Sequence, residues 1–429
     1  MNQSPMSVRP VRRISVPRRW WSTWVASTML AAASALTFTA LPVTAATAAT
    51  SGPVPRTAVA GFGSNTRGQL GTGTTSGTEL LPVQATLPPG THVTQVAPGC
   101  FHSLALTTAG SVLAWGDNRA GELGNGTTSE SSATPAPVPL PAGVRIRSVR
   151  GGCSFSLAVS TDGQVWAWGS NSTGQLGNGT VGGFSASPGL VKLPAGVRIA
   201  SVAGGLDHAL AVTTAGQVYA WGGNANGQLG NGAAGPPAGT PALVRLPDRT
   251  QVRAVTAGEL DSLAVTAGGR ILGWGTESSG ALGNGRGSGF SPVPVPALLP
   301  PFVRVRSVFA GCFHTLAVTT TGSVLAFGEN GNGQLGTGRA GDQLTPALTR
   351  LPAGTRVTSV GGGCVHSVAV TSRGQMLSWG SGGLLGNGST ASSSVPVPVR
   401  LDRGQLAIGT GGSADGNHSL ALVLQLPVR

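Results

Sequence analysis

The sequence predicts an all-β fold, a seven-bladed β-propeller built from four-stranded blades. A pair formed by an aromatic residue and a glycine recurs at intervals of 53, 53, 53, 53, 53 and 52 residues. The aromatic members are Phe62, Trp115, Trp168, Trp221, Trp274, Phe327 and Trp379. A period of about 50 residues, in which short strand-like segments are separated by turn residues, is typical of propeller blades. The 69 glycines and 30 prolines also favour short strands joined by tight turns.

The repeat from Leu140 to Leu193 shows how one blade is predicted to form. Alternation of apolar and polar residues predicts a first strand at 144–149, followed by strands at 155–159 and 164–169. A hairpin turn at 161–163 joins the second strand to the third. The fourth strand is predicted around 188–193 and as an edge strand, because proline cannot donate to a central ladder.

The two ends of the chain are predicted to share one blade. The sequence begins with a third-strand pattern and ends after a second-strand pattern, so the ends are complementary. Residues 402–424 would give the first and second strands, and residues 57–86 the third and fourth. Pairing of these halves would close the ring and leave no open first or last blade.

The repeat resembles that of the regulator of chromosome condensation family over essentially the whole chain after the leader. The motif is seen in Gly311-Cys312-Phe313-His314-Thr315-Leu316-Ala317-Val318, followed by Ala326-Phe327-Gly328-Glu329-Asn330 and Gly333-Gln334-Leu335-Gly336. The resemblance implies a seven-bladed propeller. The chain is also more distantly similar to secreted propeller inhibitors of β-lactamases. A shared fold does not by itself carry a shared function.

Residues 1–48 are predicted to be an export signal, and residues 49–429 the propeller. The first 55 residues contain five arginines and no acid, followed by an uncharged run rich in Ala, Thr and Leu. Small-residue cleavage sites end at Ala45 and Ala48, with an uncleaved membrane anchor as the alternative. Arginine pairs at 12–13 and 18–19 leave the twin-arginine and general secretory routes both open. The predicted location is extracellular, including association with the cell wall, with no membrane span after cleavage.

The charge pattern favours an acidic partner over nucleic acid. The formal net charge is +13, and loss of the five leader arginines lowers it to +8. Arginines spread over the repeats lack the clustering with stacking aromatics that nucleic-acid binding requires. First-strand arginines occupy two registers that share one side of the strand: Arg145, Arg198, Arg304 and Arg356, then Arg147, Arg253 and Arg306. Two interpretations are open. These arginines are either solvated or hydrogen-bonded between blades, or they line an anion-binding channel.

Histidine is the first candidate for chemistry, because it recurs at one position of the repeat. The residues are His102, His208, His314, His366 and His418, with Phe155 and Asp261 in the other two blades. Equivalent residues diverge around a wide axis, so hydrogen bonding within the framework is favoured over metal binding or a pH-sensitive contact. We predict no catalytic residue, no metal and no cofactor.

The four cysteines fall in two pairs in neighbouring repeats. Cys100 and Cys153 are 53 residues apart, and Cys312 and Cys364 are 52 residues apart. These turns lie near the inner strands, where blades approach one another most closely, so a disulfide within each pair is feasible. Packing as small apolar side chains and a zinc site are the alternatives.

The turn between the first and second strands differs from blade to blade and is the predicted binding surface. The candidates are Phe101, Ser154, Phe155, Asp207, Glu259, Leu260, Phe313 and Val365. Apolar side chains at turns invite a partner, whereas a plug of inward-folded phenylalanines is the alternative.

These patterns predict an exported, non-enzymatic and monomeric scaffold that presents one face to an extracellular protein or cell-wall polymer. The first alternative is a secreted inhibitor of the β-lactamase-inhibitor type. The second is guanine-nucleotide exchange, the activity of the family's namesake, against which the export signal argues.

Overall fold

The computed structural model of the chain describes residues 56–413 and 416–426. These residues form seven sheets, each of four antiparallel strands. The prediction of a seven-bladed β-propeller with four-stranded blades is therefore confirmed. The predicted export signal, residues 1–48, lies outside the described residues. The described part holds no helix long and apolar enough to cross a membrane.

Blades 1 to 6 follow one another along the chain, and the closing blade combines its two ends. Blade 1 consists of β3 (Val93–Pro98), β4 (His102–Thr107), β5 (Val112–Asn118) and β6 (Ser129–Pro137). Blade 2 consists of β7 (Ile146–Gly151), β8 (Phe155–Ser160), β9 (Val165–Ser170) and β10 (Phe184–Leu190). Blade 3 consists of β11 (Ile199–Gly204), β12 (His208–Thr213), β13 (Val218–Gly222) and β14 (Ala238–Leu243). Blade 4 consists of β15 (Val252–Ala257), β16 (Asp261–Thr266), β17 (Ile271–Thr276) and β18 (Phe290–Pro296). Blade 5 consists of β19 (Val305–Ala310), β20 (His314–Thr319), β21 (Val324–Gly328) and β22 (Gln343–Leu348). Blade 6 consists of β23 (Val357–Gly362), β24 (His366–Thr371), β25 (Met376–Gly380) and β26 (Ser393–Pro398). The long loop of blade 4 contains a 3-10 turn, Ser278–Gly280.

The closing blade pairs the two ends of the chain as the sequence predicted. Its strands, in spatial order, are β2 (Thr78–Gln84), β1 (Arg56–Ser64), β28 (His418–Gln425) and β27 (Gln405–Gly411). Strands β1 and β28 are antiparallel and in continuous register from the pair Arg56–Gln425 to the pair Gly63–His418. The ring is thus closed by backbone hydrogen bonds, so no blade is left with an unpaired central strand.

The hydrophobic core lies between neighbouring blades. Trp115 of blade 1 is fully buried in a cluster with Val59 and Leu70 of the closing blade. Its indole Nε1 donates to the Gln69 carbonyl oxygen at 2.9 Å. The same bond to the preceding blade recurs for Trp168, Trp221, Trp274 and Trp379. The aromatic-glycine motif therefore joins blades together.

The fourth strand of blade 2 differs from the sequence prediction. Strand β10 pairs with β9 at Ser185–Gly169 and again at Gly189–Ala167, with an irregular register between the two pairs. Pro188 lies inside this irregular segment, because proline has no N–H to donate to the ladder. The strand therefore begins before the proline, at Phe184, and ends at Leu190.

The strand order fixes two faces of the ring. We call one the turn face: it carries the turns between first and second strands and the long loops between third and fourth strands. We call the other the arginine face: it carries the turns leading into the first strands and the hairpins between second and third strands. The first strands of all seven blades surround the central axis.

Candidate binding surfaces and the central cavity

The predicted binding residues lie around the turn face, but they differ in exposure. Phe101 is 36% exposed, and Phe313, its equivalent in blade 5, is half-buried. Phe155 is fully buried and belongs to the core cluster between blades 2 and 3. It occupies the framework position that histidine fills in most blades, so its assignment to the binding surface is wrong. The remaining candidates are half-buried: Ser154, Asp207, Glu259, Leu260 and Val365.

The turns that carry the cysteines bond to one another around the channel. The N–H of Cys100 donates to the Cys153 carbonyl oxygen at 3.4 Å, and the N–H of Glu259 donates to the Cys312 carbonyl oxygen at 3.4 Å. This ladder brings the Cα atoms of Cys100 and Cys153 to 4.5 Å. Those of Cys312 and Cys364 are 4.6 Å apart. The structure contains a disulfide in each pair, and each disulfide joins two blades.

One group of candidate metal ligands lies beside the second disulfide. Ligand atoms of Glu259, Cys312 and Cys364 lie within 4.8 Å of one another. A cysteine binds metal as the thiolate, however, and both sulfur atoms are joined in the disulfide. In this oxidised state only the carboxylate could act as a ligand, so the group does not form a metal site.

The five repeat histidines form bonds from blade to blade. His102 Nε2 lies 3.0 Å from Ser156 Oγ of the next blade. Ser156 Oγ donates to the Glu122 carbonyl oxygen at 2.9 Å, so the serine oxygen accepts from the Nε2–H of histidine. Equivalent contacts join His208 to Ser262, His314 to Ser367, His366 to Ser419 and His418 to Ser103. This is the framework role that the sequence favoured over metal binding.

Burial keeps these histidines neutral. It lowers the pKa of His102, His208 and His366 to about 4, and that of His314 and His418 to about 3. Where the partner serine donates to a carbonyl oxygen, as Ser156, Ser262, Ser367 and Ser103 do, Nε2 of the histidine carries the proton and Nδ1 is unprotonated. Among the described residues, Nδ1 has no hydrogen-bond partner in any of the five rings. A buried imidazole has little water to stabilise its charged form, so protonation is disfavoured.

Two blades depart from this pattern, each in its own way. Phe155 replaces histidine in blade 2, and its neighbour in blade 3 is Ala209 where other blades have serine or threonine. The polar pair is thus replaced by an apolar pair. In blade 4, Asp261 replaces histidine and is buried with neither carboxylate oxygen hydrogen-bonded among the described residues. Burial, aided by the charge of Glu259, raises the pKa of Asp261 well above its ordinary value.

The first strands surround a central cavity of about 280 Å³. The fifth residue of each first strand from β3 to β23 is, in order, Ala97, Arg150, Ala203, Thr256, Phe309 and Gly361. Of these, Arg150 and Phe309 are the large side chains that line the cavity. Phe309 packs against Gly412 of the closing blade, two blades away around the ring, and so narrows the cavity. Arg150 was not predicted as a site residue, although alignment of the first strands shows that it differs from every equivalent residue.

The first-strand arginines do not line this cavity. They are exposed at the arginine face, and all of them except Arg356 donate to backbone carbonyl oxygens of neighbouring blades. Arg198 Nη1 donates to Asp162 O of the preceding blade at 3.0 Å. Arg306 Nη2 donates to Thr358 O of the following blade at 2.6 Å. Apart from Arg356, the first-strand arginines therefore form hydrogen bonds between blades, and they do not line an anion-binding channel.

Phe302 is an exposed aromatic residue on the arginine face that the repeat pattern did not predict. It is 103% exposed and has a φ of 63°. The equivalent turns of other blades have glycine in this conformation, at Gly90, Gly143, Gly196, Gly354 and Gly404. In the turn leading into blade 4 the position is Arg249, with a φ of 57°. A bulky residue in the left-handed region costs about 1–2 kcal/mol relative to the ordinary helical region.

The seven blades form a closed ring that is held together by hydrogen bonds between blades, and residues that differ between blades lie on its two faces. This arrangement is typical of β-propellers that bind partners. The model of the RCC1-like domain matches residues 58–421, so the chain belongs to the RCC1-like family. The fold implied by the repeat resemblance is thereby confirmed, whereas the similarity to secreted β-lactamase inhibitors stays a prediction.

Relatives of this chain have different functions. The chain is 33% identical over 370 residues to ultraviolet-B receptor UVR8 of Arabidopsis thaliana, with 84% of this chain and 80% of that protein covered. It is 31% identical over 399 residues to the secretion-regulating guanine nucleotide exchange factor of Bos taurus, with 85% and 83% covered. It is also 33% identical over 314 residues, 72% of this chain, to E3 ubiquitin-protein ligase HERC2 of Homo sapiens, but spans only 6% of that protein.

The fold is similar to that of a solved RCC1 structure. Yeast RCC1 (Prp20), solved in its complex with Kap60, matches with a TM-score of 0.77 and 25% identity, and the match covers 87% of this chain and 90% of that chain. Family membership thus sets the architecture, while receptor, exchange-factor and ligase names among the relatives leave the activity of this chain open.

Proposed function

We propose that this chain is an exported, non-enzymatic interaction scaffold that binds an anionic extracellular protein or cell-wall polymer through its arginine face. The proposal rests on one observation: within the described part of the chain, the exposed arginines of this face form no ion pair with a carboxylate. The ion pairs between the described residues join Arg67 to Glu130, Arg119 to Asp117 and Arg286 to Glu277, all on the turn face. Carboxylates of a partner could therefore replace water around the free guanidinium edges.

Carbonyl bonds hold these arginines in place without neutralising them. Arg304 Nη1 donates to Gly268 O at 2.5 Å, and Arg306 Nη2 donates to Val357 O at 2.7 Å. A guanidinium has five N–H donors, so other N–H groups stay available to a ligand. Because part of the rotamer freedom is already lost, less entropy is lost when an anionic partner binds.

Phe302 adds an apolar anchor next to this charge. It lies two residues before Arg304, and the turn retains it in a conformation that glycine adopts elsewhere. Strain kept at an exposed position is a reason to suspect function. Aromatic residues and arginines are also the residue types enriched at binding hot spots.

Two substitutions test this surface with little risk to the fold. Phe302→Gly and Arg249→Gly each introduce the residue that the same turn has in other blades, so both variants should fold at least as well as the unmodified chain. Binding of the purified protein to envelope material and to polyglutamate should weaken at least about tenfold in the double variant and fall steeply with salt. Unchanged, salt-independent binding by the double variant would contradict the proposal.

The turn face is the second candidate surface, because Phe101 is partly exposed there. The matched test is Phe101→Ala with Phe313→Ala. Loss of binding in this variant, with binding retained by Phe302→Gly and Arg249→Gly, would assign recognition to the turn face. Ser154, Asp207, Glu259, Leu260 and Val365 would then be the surrounding residues to examine.

Guanine-nucleotide exchange is the second candidate function, and it is favoured by the similarity to the bovine exchange factor. It requires a GTPase partner, and the predicted export signal argues against it. Acceleration of nucleotide release from a GTPase by the purified propeller would support exchange and contradict the non-enzymatic proposal. Inhibition of a β-lactamase by the purified protein would instead support the inhibitor alternative.

A further inference from the structure

Arg150 is the one charged residue among those that line the central cavity. The other lining residues are apolar or uncharged, and they come from the first strands of all seven blades, together with Gly412 and Leu422. Its equivalents in neighbouring blades are the small residues Ala97 and Ala203. The propeller fold therefore does not require arginine at this position.

Within the described residues, the Arg150 guanidinium has no anionic partner. Its Nη1 donates to the carbonyl oxygen of Val149 at 2.9 Å, and none of the ion pairs includes it. Burial lowers the pKa of Arg150, because the charged form loses water without gaining a carboxylate. Arg150 is half-buried in the wall of the cavity, and a charge that is only partly solvated is costly unless it is paired, so this cavity favours an anion.

The lining also offers a hydroxyl donor. Thr256 holds the position equivalent to Arg150 in blade 4, and its Oγ1 accepts the N–H of Ala310 at 3.2 Å. Since that bond uses the oxygen as acceptor, the hydroxyl proton can be donated into the cavity. A guanidinium and a hydroxyl together suit a ligand with several acceptor oxygens.

We propose that the central cavity binds a small oxyanion, a carboxylate or a phosphate group, through the Arg150 guanidinium. The planar fork of arginine matches two oxygens of such a group in a bidentate arrangement. The volume of about 280 Å³ limits the ligand to a small molecule. This site is separate from both faces, so it can succeed or fail independently of the proposed partner surface.

The test compares the full chain with Arg150→Met, which keeps the length of the side chain and removes its charge. Thermal unfolding and calorimetric titration are run with chloride, inorganic phosphate and succinate at matched ionic strength. We expect phosphate or succinate to raise the unfolding temperature of the unmodified chain saturably, and its affinity to fall at least about tenfold in Arg150→Met. Arg373→Gln, which removes an exposed arginine, should bind as the unmodified chain does.

Two further readouts keep the proposal falsifiable. Without an oxyanion, Arg150→Met should unfold at the same or a higher temperature, because an unneutralised charge has been removed; a clear destabilisation would show an internal counter-charge and overturn the proposal. Arg150→Lys should lose the preference for oxyanions over chloride, because an ammonium group binds as a point charge. Equal effects of all three salts, or equal effects in the unmodified chain and Arg150→Met, would also overturn it.

Discussion

His418 Nε2 lies 3.0 Å from Ser103 Oγ, so a histidine near the end of the chain bonds to a serine of the first complete blade. Ser103 Oγ in turn donates to the Gln69 carbonyl oxygen, at 2.8 Å, which also accepts the Trp115 indole N–H. Histidine, serine, loop carbonyl and tryptophan therefore form one unit at the seam of the ring. The same unit joins neighbouring blades elsewhere, so the closing blade is held as the others are.

The bond between His102 and Ser156 should be replaceable by an apolar pair. Ser156→Ala leaves a buried Nε2–H without a partner and should lower the free energy of unfolding by about 1–3 kcal/mol. Adding His102→Phe recreates the pair that Phe155 and Ala209 form, and should recover much of this loss. Urea unfolding of the single and double variants checks the expectation. A double variant that loses the sum of both single effects would contradict it.

The buried histidines should make the propeller sensitive to acid. Their pKa values are lowered in the folded chain from 6.5 to about 4 or 3, so below pH 6.5 the unfolded chain binds more protons than the folded chain. Stability is therefore fully present above pH 6.5 and is lost as the pH falls toward 4. Each histidine contributes up to about 1.4 kcal/mol per pH unit. Urea unfolding between pH 7.5 and 4.5 should show a shallower slope for the variant that carries His102→Phe and Ser156→Ala.

Asp261 should destabilise the propeller at neutral pH. Because its pKa is raised in the folded chain, the unfolded chain loses this proton first, and stability falls as the pH rises above 3.8. Asp261→Asn removes the buried charge, so it should raise the free energy of unfolding at pH 7, with a gain that shrinks toward pH 4. Asp248→Asn, at an exposed turn, is the control and should have little effect. A loss of stability in Asp261→Asn at pH 7 would contradict this expectation, because it would mean that another group stabilises the ionised carboxylate of Asp261.

The two disulfides should be measurable by counting thiols. Denatured, unreduced protein should show no reactive thiol, and reduction should reveal four. Each bridge closes a loop of about 50 residues, so Cys100→Ser with Cys153→Ser should lower the free energy of unfolding by about 2–4 kcal/mol. The matched pair is Cys312→Ser with Cys364→Ser. Four thiols in the unreduced protein would contradict both bridges.

The sequence determined the architecture because the period, the turn glycines and an aromatic residue, tryptophan in five blades and phenylalanine in two, repeat in every blade. Equivalent residues such as Trp115 and Trp168 pack in the same way between neighbouring blades, so their spacing predicts the blades and even the shared closing blade. The framework role of histidine was favoured for the same reason, since five histidines occupy one repeat position. A pattern that is repeated can be interpreted without coordinates.

Only the tertiary structure decided which variable residues are accessible. Phe101 and Phe155 were both predicted to lie on the binding surface, yet Phe101 is partly exposed and Phe155 is buried, because Phe155 lies one position later in its turn, at the framework position of the histidines. Arg147 and Arg150 lie on one strand, but Arg147 is exposed at the arginine face and Arg150 lines the cavity. Exposure and charge pairing depend on neighbouring blades about 50 residues away, so the residues of a single repeat cannot decide them.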